Sequence, residues 1–300
     1  MPPESVIGVD VGGTKMLAGT VARDGSIGRT VEVPTPTSGQ EELLSELESM
    51  LAGLIDEGAA IGVGVPMNLD RHTGIALGAV NLPLRSLDLA GRLRERFSVP
   101  VGVENDGNAI ALAEWRLGAG RGTYDMVALA LGTGVGGGVV LDGRLYRGWA
   151  ELGHVVVVAD GRHCQGTCHG RGHLEAVASG GAAERVAQEL WGDGADAHRL
   201  VGAALDGDPA AAAEMERIGH ALGLAIGSFV NVFAPEVTVV GGGFGNAAWA
   251  LLEEPALAAA RREALHPADE ELRIVKAQFG DEAGLVGAAL VGFEALDGER

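Results

Sequence analysis

Residues 6–22 read VIGVDVGGTKMLAGTVA, and residues 126–141 read MVALALGTGVGGGVVL. In each stretch an apolar strand enters a glycine-rich turn, and a second strand leaves it. Strands and helices alternate around these two units, which is typical of an α/β protein with largely parallel sheets. We therefore predict a duplicated architecture of two halves with a cleft between them.

The other elements follow from hydrophobic periodicity and from glycine and proline punctuation. Strands are predicted at residues 6–11, 16–22, 30–34, 61–65, 99–103, 126–131, 139–141 and 237–240. Helices are predicted at residues 41–57, 87–97, 108–116, 182–190, 209–233, 251–264 and 284–296. The break at 117–123 predicts a small N-terminal α/β domain, 1–117, and a large C-terminal α/β domain, 118–300. We expect the last helix, 284–297, to pack back on the N-terminal domain.

The composition excludes several classes of protein. The 300 residues carry 22 Lys and Arg against 41 Asp and Glu, a net charge of −19, which argues against nucleic-acid binding. No apolar run is long enough for a transmembrane helix, and no signal-peptide pattern is present, so no membrane partner is expected. The 2 cysteines are too close together to staple a fold, which favours a cytoplasmic protein. The 49 glycines predict tight turns and close approaches of the backbone.

The first candidate phosphate loop is the run from Asp10 to Lys15, directly after a strand. Gly12 and Gly13 let the backbone N–H groups form an anion nest. Thr14 and Lys15 add a hydroxyl and a cation, and Asp10 is placed to hold a hydrated Mg²⁺. The same residues also suit a plain hairpin turn, and the spacing alone leaves this alternative open.

Two further glycine runs have the same character. Thr133 and Gly134 follow a strand within LGTGVGGG, which contains G-x-G-x-x-G but continues as a strand rather than a helix. A dinucleotide fingerprint is therefore not indicated. Gly242, in VVGGGF, lets a nucleoside approach the backbone. Two opposed loops of this kind can grip a phosphate chain with backbone donors and a metal, despite the acidic charge.

Several carboxylates follow these strands. Asp106 stands where a strand turns into a helix, so it is either an N-cap or a base that accepts a proton during phosphoryl transfer. Glu151 and Glu175 suit a ligand rich in hydroxyl groups, because each carboxylate oxygen can accept from an OH. The alternative is that both are solvated loop residues.

Soft metal ligands are concentrated in one segment. His154, Cys164, Cys168 and His173 form a Cys₂His₂ set, which suits structural zinc. The glycines between them permit the tight turns that such a site needs. The alternative is a pair of reduced cysteines beside surface histidines.

Taken together, the motifs resemble the ROK family of bacterial sugar kinases, and especially its glucokinase-like members. The resemblance covers nearly the whole chain. It is carried by DVGGTK at 10–15, GVGVP at 62–66, ENDGNA at 104–109, LGTGVGGG at 131–138, ELGH at 151–154, HLE at 173–175 and NVFAPEVTVVGGG at 231–243. Ordered motifs at matched spacing are far more specific than one glycine loop.

The resemblance implies a two-domain, actin-like fold in which ATP and a sugar meet in the interdomain cleft. By this analogy Asp106 is the catalytic base that activates the sugar 6-hydroxyl. The residues implied to bind the sugar are Gly64, Asn81, Asn105, Asp106, Glu151, His154 and Glu175. Those implied to bind ATP with Mg²⁺ are Asp10, Gly12, Gly13, Thr14, Lys15, Thr133, Gly134 and Gly242. His154 is then both a zinc ligand and a neighbour of the sugar, so the metal fixes the pocket geometry.

The sequence departs from the family pattern C-x-C-G-x-x-G-C-x-E at the metal segment. Three residues separate Cys164 from Cys168, His169 replaces a glycine, and His173 replaces the last cysteine. Four ligands remain, but residues 165–167 are looped out. Met67 stands where the family commonly has glycine near the sugar, which leaves the choice of sugar open.

The resemblance implies a glucokinase of carbohydrate metabolism and glycolysis, which transfers the γ-phosphoryl of MgATP to glucose, and by the habit of the family a homodimer. The cysteine usage predicts a cytoplasmic protein. Kinases for fructose, mannose or N-acetylmannosamine are alternatives, because one pocket residue can shift the choice. A sugar-sensing repressor is disfavoured, since the first strand begins near Val6 and leaves no room for a helix-turn-helix. A polyphosphate donor lacks a visible basic cluster.

Overall fold

The computed structural model describes residues 5–70, 73, 75–79, 82–166 and 168–298. The chain divides into two compact units, each formed from more than one stretch of sequence. Unit 1 comprises Met1–Ala113, Arg147–Trp149 and Glu282–Arg300, and unit 2 comprises Glu114–Tyr146 and Ala150–Asp281. The predicted domain bounds, 1–117 and 118–300, stay a prediction.

The elements are numbered in chain order. The strands are β1 (Ser5–Val11), β2 (Lys15–Ala22), β3 (Ile27–Pro34), β4 (Ile61–Val65), β5 (Met67–Leu69), β6 (Ala76–Ala79), β7 (Arg85–Leu87), β8 (Val101–Asn105), β9 (Met126–Leu131), β10 (Val135–Leu141), β11 (Arg144–Leu145), β12 (Val237–Gly241) and β13 (Ile274–Lys276). The α-helices are α1 (Gln40–Ala52), α2 (Leu89–Phe97), α3 (Asp106–Arg116), α4 (Leu174–Ala178), α5 (Gly180–Trp191), α6 (Ala197–Leu205), α7 (Pro209–Phe233), α8 (Gly243–Glu263), α9 (Ala268–Glu271) and α10 (Ala283–Leu296). Short 3₁₀ helices lie at Ile55–Glu57, Leu152–His154 and Gly280–Glu282. Within the described part of the chain, every helix is too short or too polar to cross a membrane.

The main sheet of unit 1 has the strand order β3-β2-β1-β4-β8. The first three strands run antiparallel, while β4 and β8 run parallel to β1. Their apolar side chains and the buried face of α1 form one core. β5, β6 and β7 make a separate small antiparallel sheet.

A line of glycines brings a helix unusually close to this sheet. Gly8, Gly62 and Gly102 are register partners across β1, β4 and β8. A Cβ atom at any of the three would overlap backbone carbonyl oxygens of α10. Part of the glycine excess therefore serves helix-on-sheet packing, because larger residues would force α10 away.

Unit 2 repeats the arrangement with the strand order β11-β10-β9-β12-β13. β9 and β10 form an antiparallel hairpin, and β12 runs parallel to both β9 and β13. α7 packs against α8, and their buried residues join the sheet in one apolar core.

The structure agrees with most of the predicted elements and corrects several bounds. β9 and α7 have the predicted limits. α1 ends at Ala52 instead of reaching residue 57, because Gly53 caps it and a 3₁₀ turn follows. α8 begins at Gly243 rather than at residue 251, since packing imposes a helix on a stretch that contains glycine and asparagine. The strands β5–β7, β11 and β13 and the helices α4, α6 and α9 were not predicted.

Candidate active site and metal centre

The polar residues of unit 1 gather at one edge of its main sheet. Asp10 is the register partner of Gly64, and Gly64 is in turn the partner of Glu104. Because β1, β4 and β8 are parallel, their carboxyl ends share this edge. Asn105 ends β8, and Asp106 begins α3. Ligands of α/β sheets commonly bind outside the carboxyl ends of strands, so this edge is a candidate site.

Asp10 is electrostatically unusual. Burial and, to a smaller extent, the nearby Asp106 carboxylate raise the pKa of its carboxyl to about 7, although Lys15 opposes the shift. The charged form of Asp10 is therefore costly without a cation. A carboxylate pair in this position fits a magnesium ion, which prefers oxygen ligands.

The hydrogen bonds at the start of α3 test whether Asp106 is the N-cap of that helix, one of the two roles considered for it. Asn105 Oδ1 accepts a hydrogen bond from the Asn108 N–H at 3.2 Å, which is the contact that an N-cap makes. The Asn105 amide also donates to the Met67 carbonyl at 3.3 Å. Asn105 thus caps the helix, and the N-cap alternative for Asp106 is wrong. The Asp106 carboxylate accepts from the adjacent Gly107 N–H at 2.8 Å.

The first glycine loop is a tight hairpin turn between β1 and β2. The Gly12 N–H donates to the Lys15 carbonyl at 3.0 Å, and the Thr35 hydroxyl donates to the Gly12 carbonyl at 2.7 Å. Thr14 and Gly13 are exposed. The Lys15 ammonium lies 2.7 Å from the Glu32 carboxylate on the exposed sheet surface.

A set of hydrogen bonds next to Asp106, which we call the Glu104–Arg147 brace, was not predicted from the sequence. The buried Glu104 carboxylate accepts from Arg147 Nε at 3.0 Å, from the Asn105 N–H at 3.1 Å and from Asn108 Nδ2 at 3.1 Å. Arg147 also bonds to Glu294 of α10. An acidic residue inside an apolar strand is the signal that could have found Glu104. No local signal marks Arg147, which is 43 residues away.

In unit 2, the second and third glycine runs lie at neighbouring strand ends. β9 and β12 are parallel, and Gly241 is the register partner of Ala130. Residues 132–134 turn from β9 into β10, with Thr133 exposed. Gly242 has a φ of +82°, and a Cβ there would lie 2.6 Å from the Leu131 backbone nitrogen. Only glycine fits this position without strain, so Gly242 lies directly against the strand that leads into the loop.

Glu175 lies between this loop and the metal segment. One of its carboxylate oxygens accepts from the Val135 N–H at 2.9 Å, and the other is 3.6 Å from Cys164 Sγ. Glu175 is therefore not a solvated loop residue. Glu151, in contrast, is exposed at the start of a 3₁₀ helix that carries His154.

The four predicted metal ligands come together within unit 2. One ligand atom from each of His154, Cys164, Cys168 and His173 lies within 4.8 Å of all the others. Cys168 Sγ is 3.6 Å from His173 Nδ1, and the two histidine rings stack at 5.2 Å. Nδ1 of His154 is buried and has no hydrogen-bond partner among the described residues.

These residues fit a tetrahedral zinc ion. Bonds of about 2.3 Å to sulfur and about 2.0 Å to nitrogen place the ligand atoms of such a site at separations comparable to those observed. Burial and the nearby Glu175 carboxylate raise the pKa of the Cys164 thiol to about 12, so a thiolate there needs a cation. Both histidines are half-buried, which disagrees with the alternative of surface histidines.

The predicted site residues are thus divided between the units. Unit 1 holds Asp10, Gly12, Gly13, Thr14, Lys15, Gly64, Asn105 and Asp106. Unit 2 holds Thr133, Gly134, Glu151, His154, Cys164, Cys168, His173, Glu175 and Gly242. Asn81 lies outside the described residues. The Met67 side chain is buried in the core of unit 1, and its carbonyl positions Asn105.

Comparison with known proteins identifies the relatives of this chain. It is 36% identical to a glucokinase from Thermotoga maritima over 99% of this chain and 100% of the relative. A crystal structure of a ROK family glucokinase from Streptomyces griseus, in complex with glucose and AMPPNP, is 33% identical with a TM-score of 0.85. That match covers 97% of this chain and 99% of the other. A ROK hexokinase from Thermus thermophilus is 34% identical with a TM-score of 0.81, over 98% and 99% of the two chains.

The fold of these relatives is the two-domain, actin-like fold expected from the motifs. The profile described as ROK family matches residues 6–293, from the first strand to the last helix. That range includes every motif on which the resemblance was based. The chain therefore belongs to the ROK family.

Proposed function

We propose that the protein is an ATP-dependent glucokinase, which transfers the γ-phosphoryl group of ATP to the 6-hydroxyl of glucose. The observation that carries the proposal is the polar edge of unit 1. There Asn105 caps α3, and the Asp106 carboxylate lies close enough to the buried Asp10 to raise its pKa. The Thermotoga maritima and Streptomyces griseus relatives are glucokinases, which supports glucose as the sugar. Other sugars and a regulatory role are not favoured.

Asp106 is the proposed catalytic base. Its carboxylate accepts the proton of the sugar 6-hydroxyl as the oxygen attacks the γ-phosphorus, and the bond from that phosphorus to ADP breaks. Phosphoryl transfer of this kind depends mainly on positioning and charge stabilisation. The Glu104–Arg147 brace and the Asn105 cap hold the start of α3 still, which fixes Asp106 against the hydroxyl.

The remaining site residues are assigned to ligands by their chemistry. For the sugar hydroxyls we propose Asn105, Glu151, His154 and Glu175, together with the Gly64 backbone and Asn81. For the phosphates we propose backbone N–H groups at Gly12, Gly13 and Gly134 with the hydroxyls of Thr14 and Thr133, and for the nucleoside Gly242. Asp10 would hold Mg²⁺, which neutralises phosphate charge when bound. Lys15 contributes little to phosphate binding, because its ammonium group already pairs with Glu32.

Zinc is the proposed ion of the Cys₂His₂ set, held by His154, Cys164, Cys168 and His173. The ion supplies no catalytic chemistry here and acts by fixing ligand geometry. Holding His154 at the end of its 3₁₀ helix keeps that side chain, and the preceding Glu151, in place for the sugar.

We further propose a homodimer located in the cytoplasm. Cys164 and Cys168 form no disulfide, which fits a reducing compartment. Light scattering coupled to gel filtration measures the mass in solution, and a mass of one chain would contradict the dimer.

The test of the function is an ADP-release assay with MgATP and a panel of hexoses, with a no-sugar control. We expect glucose to give the highest kcat/KM and the phosphate to be found on the 6-hydroxyl by NMR. Preference for another hexose would contradict the choice of sugar while keeping the mechanism. No turnover with any sugar would contradict the kinase itself.

A further inference from the structure

Gln165, which directly follows Cys164 in the chain, has a side chain with an unexpected set of contacts. Gln165 Nε2 lies 2.6 Å from Ser179 Oγ, 3.3 Å from the Thr133 carbonyl oxygen and 3.3 Å from the Glu175 carbonyl oxygen. The two carbonyls can only accept, so the NH₂ end of the amide must face them. Its two hydrogens thus serve an acceptor set that no carboxylate or alkyl group could satisfy.

These acceptor groups are part of the structure that holds the second glycine loop in place. The Thr133 carbonyl also accepts from the Gly181 N–H at 3.2 Å, and the Gly132 carbonyl accepts from the Gly180 N–H at 2.7 Å. Ser179 is buried and caps α5. Residues 132–134 are therefore docked on the start of α5, and Gln165 ties the loop to the cap.

The backbone of Gln165 is tied to the metal segment at the same time. Its carbonyl accepts from the Cys168 N–H at 3.2 Å, and the Cys164 N–H donates to the Gly170 carbonyl at 3.0 Å. Both bonds involve the backbone of a cysteine whose sulfur atom belongs to the metal cluster. One residue therefore connects the geometry of the metal ligands with that of the loop that carries Thr133.

We propose that Gln165 is a positioning residue that couples the metal centre to the ATP-phosphate loop. Its amide holds Thr133 and Gly134 in the conformation that binds phosphates, and a bound metal strengthens this hold by fixing the turn from Cys164 to Cys168. The proposal rests on the proposed function, because it takes residues 132–134 as phosphate ligands. It gives a role to the segment that departs from the family pattern.

The first test compares Gln165→Ala and Gln165→Glu with wild type. Glutamate keeps the shape of the side chain but cannot donate hydrogen bonds to the three acceptors. If either variant fails to fold, Gln165→Met, which keeps the side-chain volume, takes its place. We expect the Kd for AMPPNP with Mg²⁺, measured by calorimetry, and the KM for ATP to rise about fivefold or more. The KM for glucose should stay within about twofold, since a lost loop contact affects the nucleotide.

The matched control is Gln188→Ala. Gln188 lies on α5 of the same unit, and its amide makes an exposed contact with Glu184 at 3.2 Å. Both nucleotide constants should equal those of wild type. A lower Tm for the Gln165 variants with unchanged Kd and KM would mean that Gln165 only stabilises the fold, and this would overturn the proposal.

The second test measures the coupling. Wild type and Gln165→Ala are stripped of metal with a chelator, the chelator is removed, and AMPPNP binding is measured with Mg²⁺ before and after zinc is restored. Stripping should raise the wild-type Kd about fivefold and change that of Gln165→Ala by less than about twofold, because interacting features are not additive. Equal effects in both proteins would overturn the coupling.

The binding readout keeps this proposal distinct from the proposed function. A wild type that binds AMPPNP but phosphorylates no sugar would refute the kinase, and the Kd comparison would still decide the role of Gln165. A wild type that binds no AMPPNP would refute both.

Discussion

The two main sheets have the same plan but different strand ends. Both consist of three antiparallel strands followed by two strands that run parallel to the third, in the orders β3-β2-β1-β4-β8 and β11-β10-β9-β12-β13. In unit 1 the first strand carries Asp10, and β8 ends next to Asp106. In unit 2 the strands β9 and β12 end at Leu131 and Gly241, and β13, which stands in the place of β8, ends at Lys276. We infer that one scaffold serves chemistry in unit 1 through its carboxylates and binding in unit 2 through its glycine runs.

The two glycine loops also differ in what holds them. The first is fixed mainly by its own hairpin and by Thr35, about twenty residues away in the chain. The second is held by side chains that come much later, with Glu175 forty residues beyond Val135. The first loop is thus largely a local structure, whereas the second depends on the metal segment and on α5.

The largest effect should come from removing the charge at the end of β8. Asp106→Asn keeps the shape but cannot take the hydroxyl proton, so kcat should fall about a thousandfold. The Kd for glucose, measured by calorimetry, should change by less than about threefold.

The control is Asp56→Asn, which removes one charge from an exposed position of the same unit and should leave kcat unchanged. Near-normal turnover of Asp106→Asn would contradict the comparison between the two units, because proton transfer would then not depend on the carboxylate of Asp106.

Glycine substitutions should separate the first glycine loop from the third glycine run by their effect on stability. Gly242→Ala places a Cβ against the Leu131 backbone at a φ of +82°, and should lower the free energy of unfolding by about 2 kcal/mol. Gly13→Ala meets no atom within 4 Å and should cost less than about 1 kcal/mol. Urea denaturation measures both values. Equal losses would contradict the close approach at Gly242.

Removing one metal ligand should affect sugar binding. Cys168→Ser should abolish bound zinc, measured by elemental analysis, and raise the KM for glucose about tenfold through the loss of a fixed His154. His169→Ala changes an exposed neighbour that is not among the four ligands, and it should retain zinc. Full zinc content in Cys168→Ser would contradict the ligand set.

The sequence predicts the local features well and the long-range ones poorly. Some features could be predicted because their spacing and periodicity involve residues that are close together in the sequence. They are the hairpins, β9, α7 and the Cys₂His₂ set. The strands β5–β7 have only three or four residues each, too few to show a period. The Asn105 cap, the Glu104–Arg147 brace and the Gln165 contacts depend on tertiary structure, which no local pattern reports.

The smallest effect should come from the one lysine of the first loop. Its ammonium lies 2.7 Å from Glu32, and the two side chains are 60% and 52% exposed, so the pair is screened by water. Lys15→Met should therefore raise the KM for ATP by less than about threefold. Arg29→Met, which removes an exposed cation paired with Glu57, is the matched control.

A tenfold rise in the KM for ATP with Lys15→Met, and none with Arg29→Met, would contradict this prediction. Lys15 would then leave Glu32 for the phosphates, and the first loop would bind with a cation as well as with backbone donors. A small effect in both variants sharpens the comparison instead. The phosphate loops of both units would then rely on backbone N–H groups and hydroxyls, and the charge that distinguishes unit 1 would be that of its carboxylates and the metal they hold.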